Sequence, residues 1–359
     1  MTGVQTCALP ISEGFDLNGN TGLLHIISHT DLDGVVAAAL AWRAHAHVER
    51  PIRLSLTGYG EVDNLMLETV RAGTELVVLD LSPQFQATVD ELDRSFSTDA
   101  PPFLFDHHKT TFERYEKRPW AVLDTACCGA MVYWNWLFDG NADERTLRAV
   151  EPLREAVRLA NDRDLWINED PDSRLWQAMV TMCGEWGAFS RLVWNPSVAL
   201  SEEERRAAFS FVERQEERFH RARDSLVRSR IDESGGELAF LGDGHLEFGD
   251  TSDFCGMILD RPDNPARTPL LVALAYRKPG GNWAVSMRSR SGLAGKVVGL
   301  LKDGRKIRGG GHGDAAALYF PASYGEDGIR ESLVAALSAD RESASDMGVT
   351  LGDLLKGAF

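Results

Sequence analysis

The chain has 359 residues, 43% hydrophobic and 26% charged, with a formal net charge of −16. That length fits two domains of ordinary globular composition, and no window of about 18 apolar residues offers a membrane span. An acidic body repels long polyphosphate chains over most of its surface, which argues against a long duplex as partner but leaves room for a small anion at a locally positive site.

Residues 1–11, MTGVQTCALPI, carry no charged side chain, so they lack the basic start of a targeting peptide. They read as translated adapter sequence and are set apart from the fold. The five cysteines contain no CxxC pair. Neither a zinc ribbon nor a disulfide scaffold is indicated, and a reducing, cytoplasmic setting is expected.

Residues 22–29 (GLLHIISH) form an apolar, β-branched run, the pattern of a buried strand. Residues 32–48 are Ala-rich and predicted helical. Residues 74–82, within GTELVVLDLS, make a second strand, and 102–105 (PFLF) lead into a third that ends at Asp106. Helices are predicted at 61–72 and 84–96. Continuous apolar strands alternating with helices predict a parallel, doubly wound α/β sheet covered on both faces.

Helices are further predicted at 126–138 and 145–161, followed by NDRDLW at 161–166. A long charged helix is predicted from Ser201 to Ile231. Ser201 and Glu204 match a capping box. Phe209, Val212, Phe219, Ala222 and Leu226 share one face. It reads as a connector, with a homodimer contact as the alternative. Beyond Gly235-Gly236 the pattern shifts. A hairpin is predicted from PLLVALAYR (269–277) and WAVSMRS (283–289), then a helix at 292–302, GGGH at 309–312 and a strand at 315–320. This is a smaller α+β domain. The expected division is 12–200, a connector at 201–234, 235–325, and a helical tail at 326–359.

The acidic and histidine residues fall at strand ends. The first strand runs out into His29-Thr30-Asp31-Leu32-Asp33-Gly34, the second ends in Asp80, and the third in Asp106-His107-His108. In an open parallel sheet the carboxyl ends of strands line the binding crevice. Singly, Asp33 would serve as a helix cap and Asp80 as part of a turn. Jointly they predict an oxygen-rich site with imidazoles, suited to Mn²⁺ or Mg²⁺ rather than structural zinc. Two such ions sharing a carboxylate serve hydrolysis of phosphoesters or phosphoanhydrides.

SHTDLDG, LDLS, FDHHKT and NDRD, in that order, resemble the four motifs of the DHH phosphoesterase superfamily, and GGGHGDAAAL resembles the glycine-rich motif of its DHHA1 domain. The resemblance spans roughly residues 22–320. It looks closest to the oligoribonuclease (nanoRNase) branch, some members of which are assigned to cyclic nucleotides. It implies two metal ions. His29 and Asp31 would bind one and Asp33 the other, with Asp80 bridging. His107 and Asp162 would complete the second, with Asp164 as the alternative in NDRD. His108 would face the scissile phosphate, supported by Asp106. Arg288, Gly309, Gly310, Gly311 and His312 would grip a substrate phosphate, since glycine lets backbone N–H groups approach an anion. Arg290, Lys306 and Arg308 add local positive charge.

The implied activity is a Mn²⁺-dependent exonuclease that reduces short oligonucleotides to mononucleotides. The alternatives are a 3′-phosphoadenosine 5′-phosphate phosphatase, a linear or cyclic dinucleotide phosphodiesterase, or a nucleotide sensor without turnover. An inorganic pyrophosphatase is disfavoured by GGGH. Trp166, Trp176 and Trp283 are candidates to stack a base, although core packing is the commoner fate of such residues.

Overall fold

The run Leu24–Ser28 is buried at all five positions, so it has no solvent face. Ile26 packs into one apolar core and Ile27 into another, as side chains alternating across a sheet covered on both sides must. The computed structural model describes residues 22–46, 50–97, 100–231, 236–260, 268–303, 306–311 and 313–346. Residues 1–11, His312 and the tail beyond 346 lie outside the described residues. The chain divides into two units between Val212 and Glu213.

In chain order the first unit contains β1 (Leu24–Ser28), α1 (Leu32–Ala46), β2 (Ile52–Leu56), α2 (Val62–Arg71), β3 (Glu75–Leu79), α3 (Gln86–Ser95), β4 (Leu104–Asp106), α4 (Lys109–Tyr115) and β5 (Ala121–Leu123). Then follow α5 (Gly129–Trp136), α6 (Glu144–Val150), α7 (Arg154–Asp164), α8 (Pro171–Trp194) and the start of α9 (Glu202–Asp224). The five strands are all parallel, in the order β2-β1-β3-β4-β5. The chain winds outward from β1 to β2, then returns to the other side of β1 with β3. The crevice of a doubly wound sheet opens at that reversal. Helix α1 is buried on nearly every side by α5, α6, α7 and α8. Its alanines let those helices approach closely, and it shows no polar face because it has no solvent face.

Several expectations need correction. The edge strands β2 and β5 are absent from the sequence prediction, since β2 alternates (IRLSL) and is only half-buried and β5 is three residues long. The predicted helix 145–161 is two helices, parted by a tight turn at Glu151–Leu153 that contains Pro152. Helix α9 stops at Asp224 instead of Ile231. The chain turns at Ser225 and continues as β6 (Val227–Arg230), because pairing with β7 (Glu237–Leu241) outweighs the helical propensity of the charged run. The capping box is present: Ser201 N–H donates to Glu204 Oε2 (2.7 Å) and Glu204 N–H to Ser201 Oγ (3.2 Å). Phe209 is 55% exposed, and Ala208 takes its place on the buried face with Val212, Phe219 and Ala222.

The second unit adds α10 (Thr251–Asp260), β8 (Leu271–Arg277), β9 (Trp283–Ser289), α11 (Leu293–Leu301), β10 (Arg308–Gly311), β11 (Ala315–Phe320) and α12 (Gly325–Asp346). Its mixed sheet runs β10-β11-β9-β8-β7-β6, parallel only between β7 and β8. Leu238 and Phe240 face one core, Ala239 and Leu241 the other. The glycine run 309–311, which the resemblance implies would grip a substrate phosphate, forms an edge strand paired antiparallel with β11.

Candidate metal centre

The carboxyl ends of β1, β3 and β4 bring their polar residues together on one edge of the first sheet. His29 follows β1, and its Nδ1 lies 2.9 Å from Asp31 Oδ2 and 3.6 Å from Asp80 Oδ2. His107 follows β4, and its Nε2 lies 3.4 Å from Asp80 Oδ1 and 3.3 Å from Asp164 Oδ2. His108 Nδ1 lies 2.7 Å from Asp106 Oδ1. Among the described residues, three sets place donor atoms within 4.8 Å of one another: Asp80, Asp106, His107, His108; His29, Asp31, Asp80; and Asp33, His107, Asp164. Asp80 joins the first two sets, and His107 joins the first and third.

The backbone is shaped to hold these groups. Asp80 adopts φ +55°, a left-handed conformation uncommon for a residue with a side chain, and its N–H is tied to Phe105 C=O on β4 (2.9 Å). Such strain persists only where neighbouring structure enforces it, and it gathers at functional sites. Gly34 N–H donates to Asp31 Oδ1 (3.0 Å), and a Cβ at residue 34 would sit 2.4 Å from the His29 carbonyl oxygen. Asp33 accepts from both Gly129 N–H (2.7 Å) and Ala130 N–H (2.8 Å) at the start of α5, where the helix end favours negative charge. A Cβ on Gly129 would lie 3.0 Å from Asp33 Oδ2 and from Asp80 Cβ. Asn161 fixes the same helix start by accepting Cys128 N–H (2.9 Å).

The electrostatics follow from crowding. Burial disfavours charge on His29, but Asp31 and Asp80 outweigh it and push the imidazole up to about 11. His107 is likewise pushed up against the effect of burial, to about 10, by Asp80, Asp164 and Asp33. His108 rises to about 9 against burial, mainly through Asp106. Burial and the Asp80 and Asp164 carboxylates raise Asp33 well above the usual carboxylate range. Burial also lifts Asp164 to about 6, with Asp80 and Asp31 adding to it. Protons on the imidazoles balance the carboxylates, and metal ions on these donors would release them.

The residues fit such ions. Asp80 Oδ1, Asp106 Oδ2, His107 Nε2 and Asp164 Oδ2 are buried atoms that make no hydrogen bond. Each such atom costs about 1–3 kcal/mol, so the cluster is incomplete as a purely hydrogen-bonded device. Carboxylate oxygens with a few imidazoles suit Mn²⁺ or Mg²⁺.

Of the residues proposed from sequence, His29, Asp31, Asp33, Asp80, Asp106, His107 and His108 stand together. Asp162 does not. It is buried among the donors of the following turn, accepting Glu169 N–H (2.9 Å), Ser173 O–H (2.6 Å) and Asp170 N–H (3.4 Å). Asp164, half a turn further along α7, stands in the cluster instead. Tyr59 joins the site without being foreseen in the sequence. Its ring centroid lies 6.1 Å from those of His29 and of His108. It follows β2, and a strand missing from the prediction hides what stands at its end. In the second unit Arg288 is on β9, with Nη2 3.3 Å from Ser252 Oγ. Gly309–Gly311 form β10. Trp176 and Trp283 are core residues, 2% and 6% exposed, whereas Trp166 is half-buried.

No family model matches the chain, and no curated protein matches it. Solved structures do. Exonuclease RecJ bound to manganese matches with a TM-score of 0.54 at 15% identity, over 88% of this chain and 90% of that one. RecJ from Thermus thermophilus in complex with Mn²⁺ gives 0.54 at 13% identity, over 88% of this chain and 52% of that longer one. The DHH domain of a member of a ribosomal-protein family gives 0.52 at 14% identity, over 89% and 87%. At these identities the likeness is one of fold: the chain shares the two-sheet α/β architecture of DHH-domain proteins.

Proposed function

We propose that the centre at the ends of β1, β3 and β4 hydrolyses phosphodiester bonds of short oligonucleotides to mononucleotides, as the nanoRNase resemblance implies. The observation that carries this reading is Asp80, a strained, buried carboxylate common to two donor sets. The exonuclease and the manganese named for the RecJ structures agree with it. His29 and Asp31 would hold one ion, Asp33, His107 and Asp164 a second, and Asp80 both. Bound there, the ions would supply an acidified water and neutralise charge on the phosphoryl oxygens.

The chain's own residues do the remaining work. Asp106 Oδ1 accepts the Nδ1–H of His108 (2.7 Å), which fixes the ring and leaves Nε2 to hold a proton for the substrate. The His108 side chain is 37% exposed and that of His107 12%, so His108 is the imidazole that a phosphate can reach. Arg288 and the outward N–H groups of β10 are the proposed phosphate-binding groups of the second unit.

Mn²⁺-dependent release of mononucleotides from labelled two- to ten-mers tests the reading, with 3′-phosphoadenosine 5′-phosphate and cyclic dinucleotides in the same panel. Asp80→Ala and His107→Ala are expected to abolish release while circular dichroism stays native. Full activity in either variant would sink the proposal.

A further inference from the structure

Trp166 has a different setting from the chain's buried tryptophans. It belongs to none of the apolar cores and is half-buried two residues beyond Asp164. Its φ is +56°, a region costly for a large side chain and freely open to glycine. The turn that enforces this is closely bonded. Trp166 N–H donates to Arg163 C=O (3.2 Å) and Ile167 N–H to Asp162 C=O (3.0 Å). Asn168, also left-handed (φ +53°), donates its side-chain N–H to Trp166 C=O (2.9 Å). Arg163 lies over the indole, its guanidinium carbon 4.4 Å from the ring centroid. Asp162 accepts from Glu169, Asp170 and Ser173 and closes the turn from below. The indole is thus held against its backbone preference, outside the apolar cores of the described residues, on the turn that follows Asp164.

We propose that Trp166 is a stacking platform for a nucleobase of the substrate, with the Arg163 guanidinium fixing the opposite face of the indole. This rests on the phosphodiesterase reading and narrows it. The substrate carries a base next to the bond that is cut, so a bare polyphosphate or pyrophosphate is not the preferred substrate. Stacking tolerates every base because each has a π-face. Purines, with the larger face, bind better than pyrimidines, and the preference is graded rather than absolute.

The test compares the wild type with Trp166→Phe and Trp166→Ala on an adenine dinucleotide and on dinucleotides abasic at the first or the second position. Trp166→Ala is expected to raise KM for the adenine dinucleotide about 5- to 150-fold, with kcat held, and to leave KM unchanged for one of the abasic substrates. Trp166→Phe is expected to keep most of the affinity. Mn²⁺ affinity, measured by electron paramagnetic resonance of the free ion, stays at the wild-type value in both variants if the indole only binds base. A parallel loss of Mn²⁺ affinity would show that Trp166 merely shapes the Asp164 turn and would overturn the proposal. An unchanged KM for the adenine dinucleotide in Trp166→Ala would overturn it as well. Calorimetry with adenosine 5′-monophosphate on the metal-free proteins keeps the two readings apart. Binding by the wild type that Trp166→Ala loses upholds the platform even if no dinucleotide is hydrolysed, in which case the phosphodiesterase reading alone falls.

Discussion

Asp162 and Asp164 lie two residues apart on α7, and the helix sends them in different directions. Asp162 gathers hydrogen bonds from Glu169, Asp170 and Ser173, and Asp164 faces His107 at 3.3 Å. Asp162→Asn is therefore expected to lower stability by about 2 kcal/mol, because the amide puts a donor where donors already point, with Mn²⁺ affinity nearly kept. Asp164→Asn should melt no lower than the wild type without metal, since it removes a crowded carboxylate, and should lose at least about tenfold in Mn²⁺ affinity. Calorimetry and melting curves on both variants decide. Loss of metal binding in Asp162→Asn at unchanged stability would return Asp162 to the ligand set. His25 shows a buried histidine with no part in the metal centre. It is fully buried in β1 between Thr69 Oγ1 (2.6 Å) and Ser55 Oγ (2.8 Å), and burial, helped by the Arg53 charge, lowers its pKa from 6.5 to about 4. Above pH 6.5 neither folded nor unfolded chain holds the proton. Between 6.5 and about 4 only the unfolded chain takes it up, so stability declines by roughly 3 kcal/mol over that window. His25→Gln should flatten that share of the acid loss in denaturant titrations. The motif residues are legible in the sequence because strand ends must carry them. The choice between Asp162 and Asp164 is not, because it depends on which helical face meets Ser173.

At the scale of elements, inner strands announce themselves and edges do not. β1 and β3 are continuous apolar runs, whereas β2 and β5 are half-buried and β5 is three residues long, so Tyr59 beyond the end of β2 is hidden with its strand. The amino end of α5 reads as plain core, yet its N–H groups hold Asp33, a role that backbone performs and residue identity does not advertise. Gly129 is the available signal, since glycine at a helix start invites a close neighbour. The run in β10 separates in a similar way. A Cβ at Gly309 would meet Ala317 O at 2.5 Å, and one at Gly311 (φ +133°) would meet Ala315 O at 2.5 Å, while Gly310 has open space. Gly309→Ala and Gly311→Ala should each cost about 1–3 kcal/mol. Gly310→Ala should stay within about 0.5 kcal/mol of the wild type in chemical denaturation. Equal losses at all three would show that packing does not distinguish them.

For the whole molecule, net charge sets what can come near. A body of charge −16 repels each added phosphate of a strand that extends beyond the site. Raising salt from about 50 to 200 mM should lower KM for ten-mers and change it little for dinucleotides, because screening relieves repulsion that only the longer strand feels. A steep rise in KM with salt for ten-mers would reveal a basic track instead. No helix among the described residues is long and apolar enough to cross a membrane. The second sheet ends on one side in β6, four residues carrying Arg228 and Arg230, and on the other in β10, four residues with three glycines. Open sheet edges recruit strands from other copies, and short or charged edges resist it. The glycine edge is the only one of the two without charge along most of its length, so its protection lies in brevity and in weak strand propensity. A valine at residue 310 would fit the available space and give that edge the side chain a foreign strand pairs with best. The bareness that we propose admits an anion to this backbone is therefore expected also to limit how readily the molecule aggregates when concentrated.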